Sequence, residues 1–285
     1  MNYHCQKLKS GLYLVATPLG SARDITLRAL DVLCSCDALA AEDTRSMRKL
    51  LNIHNIPLKD RPILSYNDFN GDRVRPTILN WLNSNMAVAY ASDAGMPLIA
   101  DPGYQLSKQA AEAGFYVTAV PGASACITAL SLSGLPTDRF FFEGFLPVSK
   151  EKRRQKLKEL SSIPSTLIFY ESPKRLIKMF EDLIAIMGEN RRAVIARELT
   201  KKFEQIISGT LGELHALLLK KPLKGELVVL LDRPLTTGLE DLDVKAELRV
   251  ALSEMTLKDA SDFVASAHGL SKRYVYNLAL SMREN

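Results

Sequence analysis

The chain alternates short apolar runs with segments in which apolar positions recur every three or four residues. Residues 87–91 and 116–120 are mostly apolar runs of five, a length typical of buried strands and too short for helices. Between them, residues 105–113 have a helical pattern that stops at Gly114, a residue common just after a helix. Strand, helix and strand in this order predict a parallel sheet with right-handed crossovers.

The same alternation extends through the first half of the chain. Apolar runs at residues 12–16, 38–41 and 63–66 predict three more strands, each followed by a polar loop and a helical segment. Thr26 stands where a side chain caps the first of these helices. We therefore predict a first α/β domain over residues 1–135, with a parallel sheet.

Near residue 140 the apolar positions become aromatic, and this aromatic run predicts the first strand of a second domain. An amphipathic helix is predicted over residues 176–187. Because hairpin-like and crossover connections mix here, we expect a mixed sheet in a second α/β domain over residues 136–234. Its strands are predicted at residues 140–145, 166–171, 193–196, 204–209 and 226–231.

A polar stretch at residues 234–243 predicts a linker, and three helical segments follow it. Gly269 separates two of them at the spacing of a helix-turn-helix unit. From Leu239 onward eight acids face six bases, an unfavourable balance for a protein that binds a duplex by itself. We predict a small helical module over residues 240–285 that packs against the chain or positions RNA.

Composition indicates a globular chain, with 47% hydrophobic and 24% charged residues. No apolar run reaches the ~18 residues of a membrane span, and the N-terminus lacks a signal-peptide pattern, so we expect a cytoplasmic protein without membrane contact. The scattered histidines argue against zinc, and no metal is expected. A formal charge of +5 slightly favours an acidic partner such as RNA. Metal or redox spacing is absent among the cysteines, which are expected to be reduced and mostly buried: Cys5, Cys34, Cys36 and Cys126.

Two loops rich in glycine and proline, at residues 92–97 and 121–125, follow the strands at 87–91 and 116–120. We expect these strands to be neighbours, so that both loops lie at their carboxyl ends, where open parallel sheets bind ligands. Glycine lets a backbone approach a ligand closely, and Asp93 can accept hydrogen bonds. The alternative is that the loops only turn the chain, but two of them favour a binding site. A Gly-x-Gly-x-x-Gly dinucleotide fingerprint is absent.

Two further polar groups carry candidate chemistry. Glu42, Asp43, Thr44 and Arg45 follow the second predicted strand, where they either cap the next helix or form part of a site. Residues 150–158 hold six basic residues and one acid, which fits a solvated helix face and a phosphate-contacting surface equally well.

Together these motifs resemble the small-subunit rRNA 2′-O-ribose methyltransferase I family, within the tetrapyrrole-methylase-like (class III) methyltransferases that use S-adenosylmethionine. The resemblance runs from about residue 12 to residue 233, and the C-terminal helical piece resembles the family's appended domain. It rests on ten motifs in order: TPLG at 17–20, AEDTR at 41–45, SDAGMP at 92–97, DPG at 101–103, PGASA at 121–125, SGLP at 133–136, GFLP at 144–147, ESPKR at 171–175, ARELTK at 196–201 and KGE at 224–226.

The resemblance implies a homodimer whose two α/β domains hold the methyl donor in the cleft between them. It implies 2′-O-methylation of a decoding-centre cytidine in 16S rRNA of the small ribosomal subunit. Ser21 and Met96 depart from the usual Asn and Thr, and the loop after Tyr66 lacks a histidine often seen there, which argues against a histidine base. Donor contacts are implied at Pro18, Asp93, Gly95, Ile99, Ser124, Ala125, Tyr170, Glu198, Gly225 and Glu226.

On the acceptor side, we expect Arg45 to hold an RNA phosphate and Asp43 or Glu42 to orient or deprotonate the ribose hydroxyl. The donor's methyl group is already activated, so the protein mainly supplies proximity and alignment, without a metal. Two alternatives stay open: a methylase of tetrapyrroles or other small molecules on the same fold, and a non-catalytic RNA-binding ribosome-assembly protein. RNA contacts are expected at Arg23, Lys152, Arg153, Arg154 and Lys156.

Overall fold

The structure of the chain is a computed structural model that describes residues 3–234, 238–268 and 270–283. The chain forms two compact units, Met1–Arg233 and Pro234–Asn285. The first unit contains two five-stranded sheets with their helices, and the second contains three helices. One sheet is parallel and the other is mixed, which confirms the predicted fold class.

The first sheet is built from β1 (Gly11–Val15), β2 (Ala38–Ala41), β3 (Ile63–Ser65), β4 (Ala87–Ala91) and β5 (Val117–Val120). All five strands are parallel, in the order β3-β2-β4-β1-β5, so their carboxyl ends share one edge. The expectation that β4 and β5 are neighbours was wrong, because β1 lies between them and pairs with both. The helices of this sheet are α1 (Leu27–Ser35), α2 (Thr44–Ile53), α3 (Gly71–Asn83) and α4 (Tyr104–Glu112).

Both faces of this sheet are covered by helices, in keeping with its continuous apolar strands. Side chains alternate along β1, so Tyr13 and Val15 pack with α1 and α2 while Leu12 and Leu14 pack with α3 and α4. The loops at the carboxyl edge are therefore the place where a ligand can meet the sheet.

The second sheet is built from β6 (Phe140–Phe145), β7 (Thr166–Glu171), β8 (Arg192–Arg197), β9 (Gln205–Thr210) and β10 (Leu227–Leu231). The strand order is β6-β7-β10-β8-β9; β6 pairs with β7 in parallel and the remaining pairs are antiparallel. This confirms the predicted mixed sheet. One face packs against three helices, α6 (Lys150–Ser161), α7 (Pro173–Met187) and α8 (Leu211–Lys220).

The remaining helix of the first unit, α5 (Ala125–Ser133), covers the other face of the second sheet. Its Cys126 and Leu130 pack in one apolar cluster with Ile168 and Val194 of that sheet. The predicted division between residues 135 and 136 places α5 in the first domain, whereas its packing places it with the second. The chain therefore crosses from one sheet to the other directly after β5.

The N-terminal segment runs along α1 and is joined to it by a disulfide between Cys5 and Cys34. The backbone N–H of His4 donates to Asp31 Oδ1 of α1 over 2.6 Å. The two cysteine Cα atoms lie 5.6 Å apart, a distance suited to a disulfide. The expectation of four reduced cysteines was wrong for Cys5 and Cys34, because their pairing depends on a contact in the folded chain that residue spacing does not show. Cys36 and Cys126 are free and buried, as expected.

The second unit contains three helices whose apolar faces enclose a small core of their own. The first of these helices begins inside the stretch 234–243 that was predicted to be a linker, so that prediction was wrong from residue 238 onward. Gly269, the expected turn glycine, lies outside the described residues. The helices are α9 (Gly238–Glu254), α10 (Leu257–Ala267) and α11 (Lys272–Arg283). In the part of the chain that the structure describes, no helix is long and apolar enough to cross a membrane.

Candidate functional site

A cleft lies between the two sheets of the first unit. The loops after β4 and β5 form one wall, and the loop after β7 and the start of β10 form the other. The cavity has a volume of about 340 Å³, which is within the range of pockets that hold small organic ligands. Its main lining residues are Leu19, Gly95, Met96, Ile99, Asp101, Ser124, Ala125, Phe145, Tyr170, Glu171, Leu199, Gly225, Glu226 and Val228.

The cleft combines apolar walls with a few polar groups, and one carboxylate oxygen among them has no hydrogen-bond partner among the described residues. Glu171 is buried; its Oε1 accepts from the backbone N–H of Ser172 over 2.7 Å and lies 3.3 Å from Arg175 Nε, while its Oε2 is the oxygen without a partner in the described part of the chain. Burial raises the pKa of Glu171 despite that hydrogen bond. An unpartnered buried oxygen is costly, so a ligand group that donates a hydrogen bond fits this side of the cleft.

The loop after β4 is held in a conformation that costs free energy. Leu98 and Ala100 have φ of 72° and 59°, in the left-handed region that non-glycine residues seldom adopt. Thr17, at the end of β1, exchanges two backbone hydrogen bonds with Gly95, of 3.0 and 2.9 Å. The turn at Ala100 allows Ile99 and Asp101, on either side of it, to line the same cleft.

On the opposite wall, a glycine turn at Gly225 is fixed by Glu198. The backbone N–H of Glu226 donates to Glu198 Oε1 over 2.8 Å, and Lys201 bonds both carboxylates. A Cβ at Gly225 would lie 2.4 Å from Glu198 Oε1, so only glycine allows this approach. The hydrogen bond from Glu226 is the main cause that lowers the pKa of Glu198, which is therefore ionised at neutral pH.

The N-terminus of α5 opens on the cleft. Ser124 is the N-cap residue and makes no side-chain capping hydrogen bond. Beside it, the hydroxyl oxygen of Tyr170 accepts from the backbone N–H of Cys126 over 3.1 Å. Burial raises the pKa of Tyr170 to about 12, so its hydroxyl is protonated at neutral pH. A helix N-terminus of this kind favours a negatively charged or hydrogen-bond-accepting part of a ligand.

The structure brings seven of the ten expected donor-contact residues to this cleft. Pro18 and Asp93 instead line an adjoining cavity of about 230 Å³ beside α2. Glu198 lines neither cavity and acts on the cleft through the Gly225 turn. The seven that line the cleft are Gly95, Ile99, Ser124, Ala125, Tyr170, Gly225 and Glu226.

The residues that line the cleft without having been expected there include Asp101, Phe145 and Glu171. Each lies inside a motif that carried the resemblance, DPG, GFLP and ESPKR, so the motifs themselves were the signal that could have found them. Asp101 is partly buried, and its pKa is raised to about 7, first by burial and next by the nearby carboxylate of Glu42.

The polar motif after β2 separates into residues with different surroundings. Asp43 caps α2, since its Oδ1 accepts from the backbone N–H of Arg45 over 2.7 Å, and its Oδ2 lies 2.6 Å from the Arg45 guanidinium. These hydrogen bonds lower the pKa of Asp43 to about 2. Glu42 is partly buried and accepts from the backbone N–H of Asp93 over 3.2 Å; burial raises its pKa. The predicted cap is confirmed, and the two carboxylates differ in chemistry.

The basic residues of α6 do not form one exposed surface. Arg153 is buried and bonds Asp182 of α7 over 2.7 Å, and Arg154 bonds the same carboxylate over 2.5 Å. The expected RNA contact at Arg153 was therefore wrong, because its buried guanidinium is already paired with Asp182. Lys152 is exposed, and Lys156 lies near two glutamates at the helix surface.

Two exposed side chains lie in loops at the carboxyl edge of the first sheet. Arg23 lies in the short turn Ala22–Asp24 after β1, and Phe69 lies fully exposed in the loop after β3. Arginine and phenylalanine are residues with which proteins contact RNA phosphates and stack on bases.

The fold and the cleft define the class of protein. Residues 11–215 match the family model of the Tetrapyrrole (Corrin/Porphyrin) Methylases, and residues 239–283 match that of the RsmI C-terminal HTH domain. The crystal structure of uroporphyrin-III C-methyl transferase from Thermus thermophilus complexed with S-adenyl homocysteine is similar, with a TM-score of 0.56 and 18% identity over 78% of this chain and 97% of that one. That likeness shows the fold, which is that of the tetrapyrrole methylases.

Relatives of higher identity define the family within this class. "Ribosomal RNA small subunit methyltransferase I" of Escherichia coli O157:H7 is 43% identical over 276 residues, 95% of each chain. The protein of the same name from Vibrio cholerae serotype O1 is 43% identical over 273 residues, 94% of each chain. The chain belongs to the ribosomal RNA small subunit methyltransferase I family, which confirms the resemblance drawn from its motifs.

Proposed function

We propose that this chain transfers a methyl group from S-adenosylmethionine to small-subunit (16S) ribosomal RNA, at the 2′-hydroxyl of a decoding-centre cytidine. The observation that carries the proposal is the cleft of about 340 Å³ with its unpartnered buried carboxylate oxygen, in a chain of this family. The names of the relatives support the ribosomal RNA substrate. The cytidine and the 2′-oxygen rest on the motif resemblance.

The residues of the cleft fit the donor. The apolar walls, with Leu199 and Val228, suit a flat adenine ring, and the N-terminus of α5 offers hydrogen-bond donors. The unpartnered oxygen of Glu171 can accept a hydrogen bond from the donor. When bound, the donor supplies a methyl group that its positive sulfur already activates, so the protein's task is to hold it and align it with the attacking oxygen.

For the acceptor side we propose that Arg45 contacts an RNA phosphate while a carboxylate of the same motif places its negative charge near the site of the ribose without taking the proton itself. Glu42 suits this role better than Asp43, because the charge of Asp43 is already paired with Arg45. The raised pKa of Glu42 follows from burial near the ends of β2 and β4. Arg45 is exposed, so its guanidinium can reach a phosphate while it holds Asp43.

RNA phosphates are proposed to meet Arg23, Lys152, Arg154 and Lys156, in a chain whose formal charge is +5. The homodimer and the cytoplasmic location stay predictions. A methylase of tetrapyrroles or other small molecules needs neither an exposed basic helix surface nor the appended helical unit. A non-catalytic RNA-binding protein needs no donor cleft.

The test is methyl transfer from labelled S-adenosylmethionine by purified protein to small ribosomal subunits from cells that lack this protein, followed by mass spectrometry of the nucleosides. We expect 2′-O-methylcytidine at one position of 16S rRNA. A methylated base, or transfer to tetrapyrroles instead of RNA, contradicts the proposal. Absence of donor binding in calorimetry favours the non-catalytic alternative.

A pair of variants ties this activity to the cleft. Ala125→Trp fills the cleft and is expected to lower donor affinity at least about tenfold, roughly 1.4 kcal/mol, because Ala125 lines it. Ala111→Trp places the same ring on the exposed face of α4 and is expected to bind donor like the wild type. Equal donor affinity in the two variants places the donor elsewhere.

A further inference from the structure

A further cavity, distinct from the one beside α2, adjoins the donor cleft and shares Asp101 with it. This cavity has a volume of about 300 Å³ and lies between residues 66–75 and residues 101–105. Its lining is mostly polar, in contrast to the apolar walls of the donor cleft, and holds one guanidinium, two amides and three carboxylates: Arg75, Asn67, Gln105, Asp68, Asp72 and Asp101. Asp101 stands where the two meet.

The walls of this cavity are preformed. In the loop after β3, the backbone N–H of Asn67 donates to Asn70 Oδ1 over 2.9 Å, and Asn70 Nδ2 donates to the carbonyl of Ser65 over 3.0 Å. On the other side, the hydroxyl of Tyr90 donates to the carbonyl of Pro102 over 2.7 Å. Rigid walls lower the entropic cost of positioning a substrate.

The chemistry of the lining suits a nucleotide. Arg75 is mostly buried and donates to the hydroxyl of Tyr66 over 3.3 Å and to Asp72 over 2.8 Å. The exposed ring of Tyr104 and the amide of Gln105 lie at the start of α4. Amides, a guanidinium and an aromatic ring are the groups with which proteins bind the edges and faces of unstacked bases.

We propose that this cavity receives the acceptor nucleotide and that Asp101, at its junction with the donor cleft, is the base for the ribose hydroxyl. The inference rests on the proposed function and names the site of its acceptor. The hydroxyl oxygen forms a bond to the methyl carbon as the carbon–sulfur bond breaks. The electron pair of the broken carbon–sulfur bond stays on sulfur. The hydroxyl proton passes to the Asp101 carboxylate and then to water.

The surroundings of Asp101 suit this role. Burial is the largest cause that raises its pKa to about 7, followed by the negative charge of Glu42. A hydrogen bond from Ser92 opposes the rise, and the charges of Asp93 and Asp68 add to it. A base titrating near neutral pH combines availability with proton affinity. Glu42 lines neither cavity and acts on the reaction through Asp101.

The buried hydroxyls of two tyrosines complete these surroundings. Tyr90 and Tyr170 each lie close enough to Asp101 for its charge to add to their raised pKa values, after burial. Both stay protonated across the neutral range, so they contribute no charge there. The pH dependence of the site near neutrality is therefore that of the carboxylates, with Asp101 titrating in this range.

The experiment is single-turnover methyl transfer to small ribosomal subunits at saturating donor and RNA, from pH 5 to pH 9. In the wild type the rate is expected to rise with pH to a plateau, with a midpoint near pH 7. Asp101→Asn is expected to react about 10²–10⁴-fold more slowly. Its rate should also lack the rise with pH around this midpoint, the acid limb of the pH–rate profile, while its donor affinity is unchanged. Glu112→Gln, an exposed carboxylate of α4, is expected to match the wild type.

A second experiment tests the cavity itself. Gln105→Trp fills the cavity and is expected to raise the KM for RNA at least about tenfold, with donor affinity unchanged. Ala111→Trp, on the same helix but outside the cavity, is expected to leave both the KM for RNA and the donor affinity unchanged. Wild-type rate and acid limb in Asp101→Asn, loss of donor binding in that variant, or an unchanged KM in Gln105→Trp each overturn the assignment. No transfer by the wild type overturns the proposed function itself, so the two failures are distinct.

Discussion

Removal of Asp182 is expected to destabilise the first unit strongly, although this residue touches no ligand. Asp182 is 1% exposed and receives Arg153 over 2.7 Å and Arg154 over 2.5 Å. Burial opposes its ionisation, but hydrogen bonds from Arg154 and Arg153 outweigh burial and lower its pKa. The buried carboxylate joins α6 to α7, so its loss leaves the charge of Arg153 inside the fold without its ion-pair partner. Among the described residues, only the carbonyl of Val148 then still accepts from the guanidinium, over 3.1 Å.

The magnitude follows from the difference between the two arginines. Arg153 is buried, and a buried ion left without its partner costs about 3–5 kcal/mol. Arg154 is about two-fifths exposed (43%), so it can turn to water when the carboxylate is removed and adds little. Asp182→Asn is therefore expected to lower the free energy of unfolding by about 3–5 kcal/mol at neutral pH. Because its pKa is lowered in the folded state, this contribution is present above about pH 4 and is lost as the pH falls through the lowered pKa.

The assay is urea unfolding followed by circular dichroism. We expect the midpoint of Asp182→Asn to fall by roughly 1–3 M, whereas Glu159→Gln, which removes an exposed partner of Lys156 on α6, should barely move it. The double variant Arg153→Met with Asp182→Leu should recover most of the loss, because no buried charge is left unpaired. A midpoint for Asp182→Asn no lower than that of Glu159→Gln refutes this account of α6.

Three further predictions concern the acceptor side. Glu42→Gln is expected to move the acid limb of the pH–rate profile to lower pH, because losing a nearby negative charge lowers the pKa of Asp101; an unmoved limb contradicts this. Replacing Lys152 and Arg154 by Gln should reduce the slope of log RNA affinity against log salt concentration by about 2. As a control, replacing Lys220 and Lys221 at the end of α8 by Gln should leave this slope unchanged. Phe69→Ala should weaken RNA binding by about 1–3 kcal/mol in filter binding, since this fully exposed ring is available to stack on a base; equal affinity counts against stacking.

The strands were predictable because burial on both faces makes them continuous apolar runs. Residues 193–196 and 226–231 match β8 and β10 to within about one residue, since polar or turn residues bound each run. Helix α8 was not predicted, although its start carries a readable signal. Thr210 and Glu213 form a capping box, and the Thr-x-x-Glu signature precedes an apolar run.

The order of the strands and the partners of charged residues were not predictable in this way. Nothing in the spacing shows that β1 lies between β4 and β5, or that α5 packs on the second sheet. The same holds for Arg153, whose carboxylate partner Asp182 lies on the next helix, 29 residues away. A run of basic residues predicts a charged helix, but burial decides which of them face water.

Two aspartates show what the local pattern and the fold each contribute to the chemistry of this site. Asp43 is bound by Arg45, two residues further on, and has a pKa of about 2. Asp101 follows the left-handed Ala100 and lies between two cavities, with a pKa of about 7. Since β2 and β4 are paired in the sheet, the carboxylate of Glu42 reaches the surroundings of Asp101 although their motifs are far apart in the chain. The local motif thus makes Asp43 a helix cap, whereas the strand order brings a second carboxylate near Asp101 and leaves Asp101 available to take a proton.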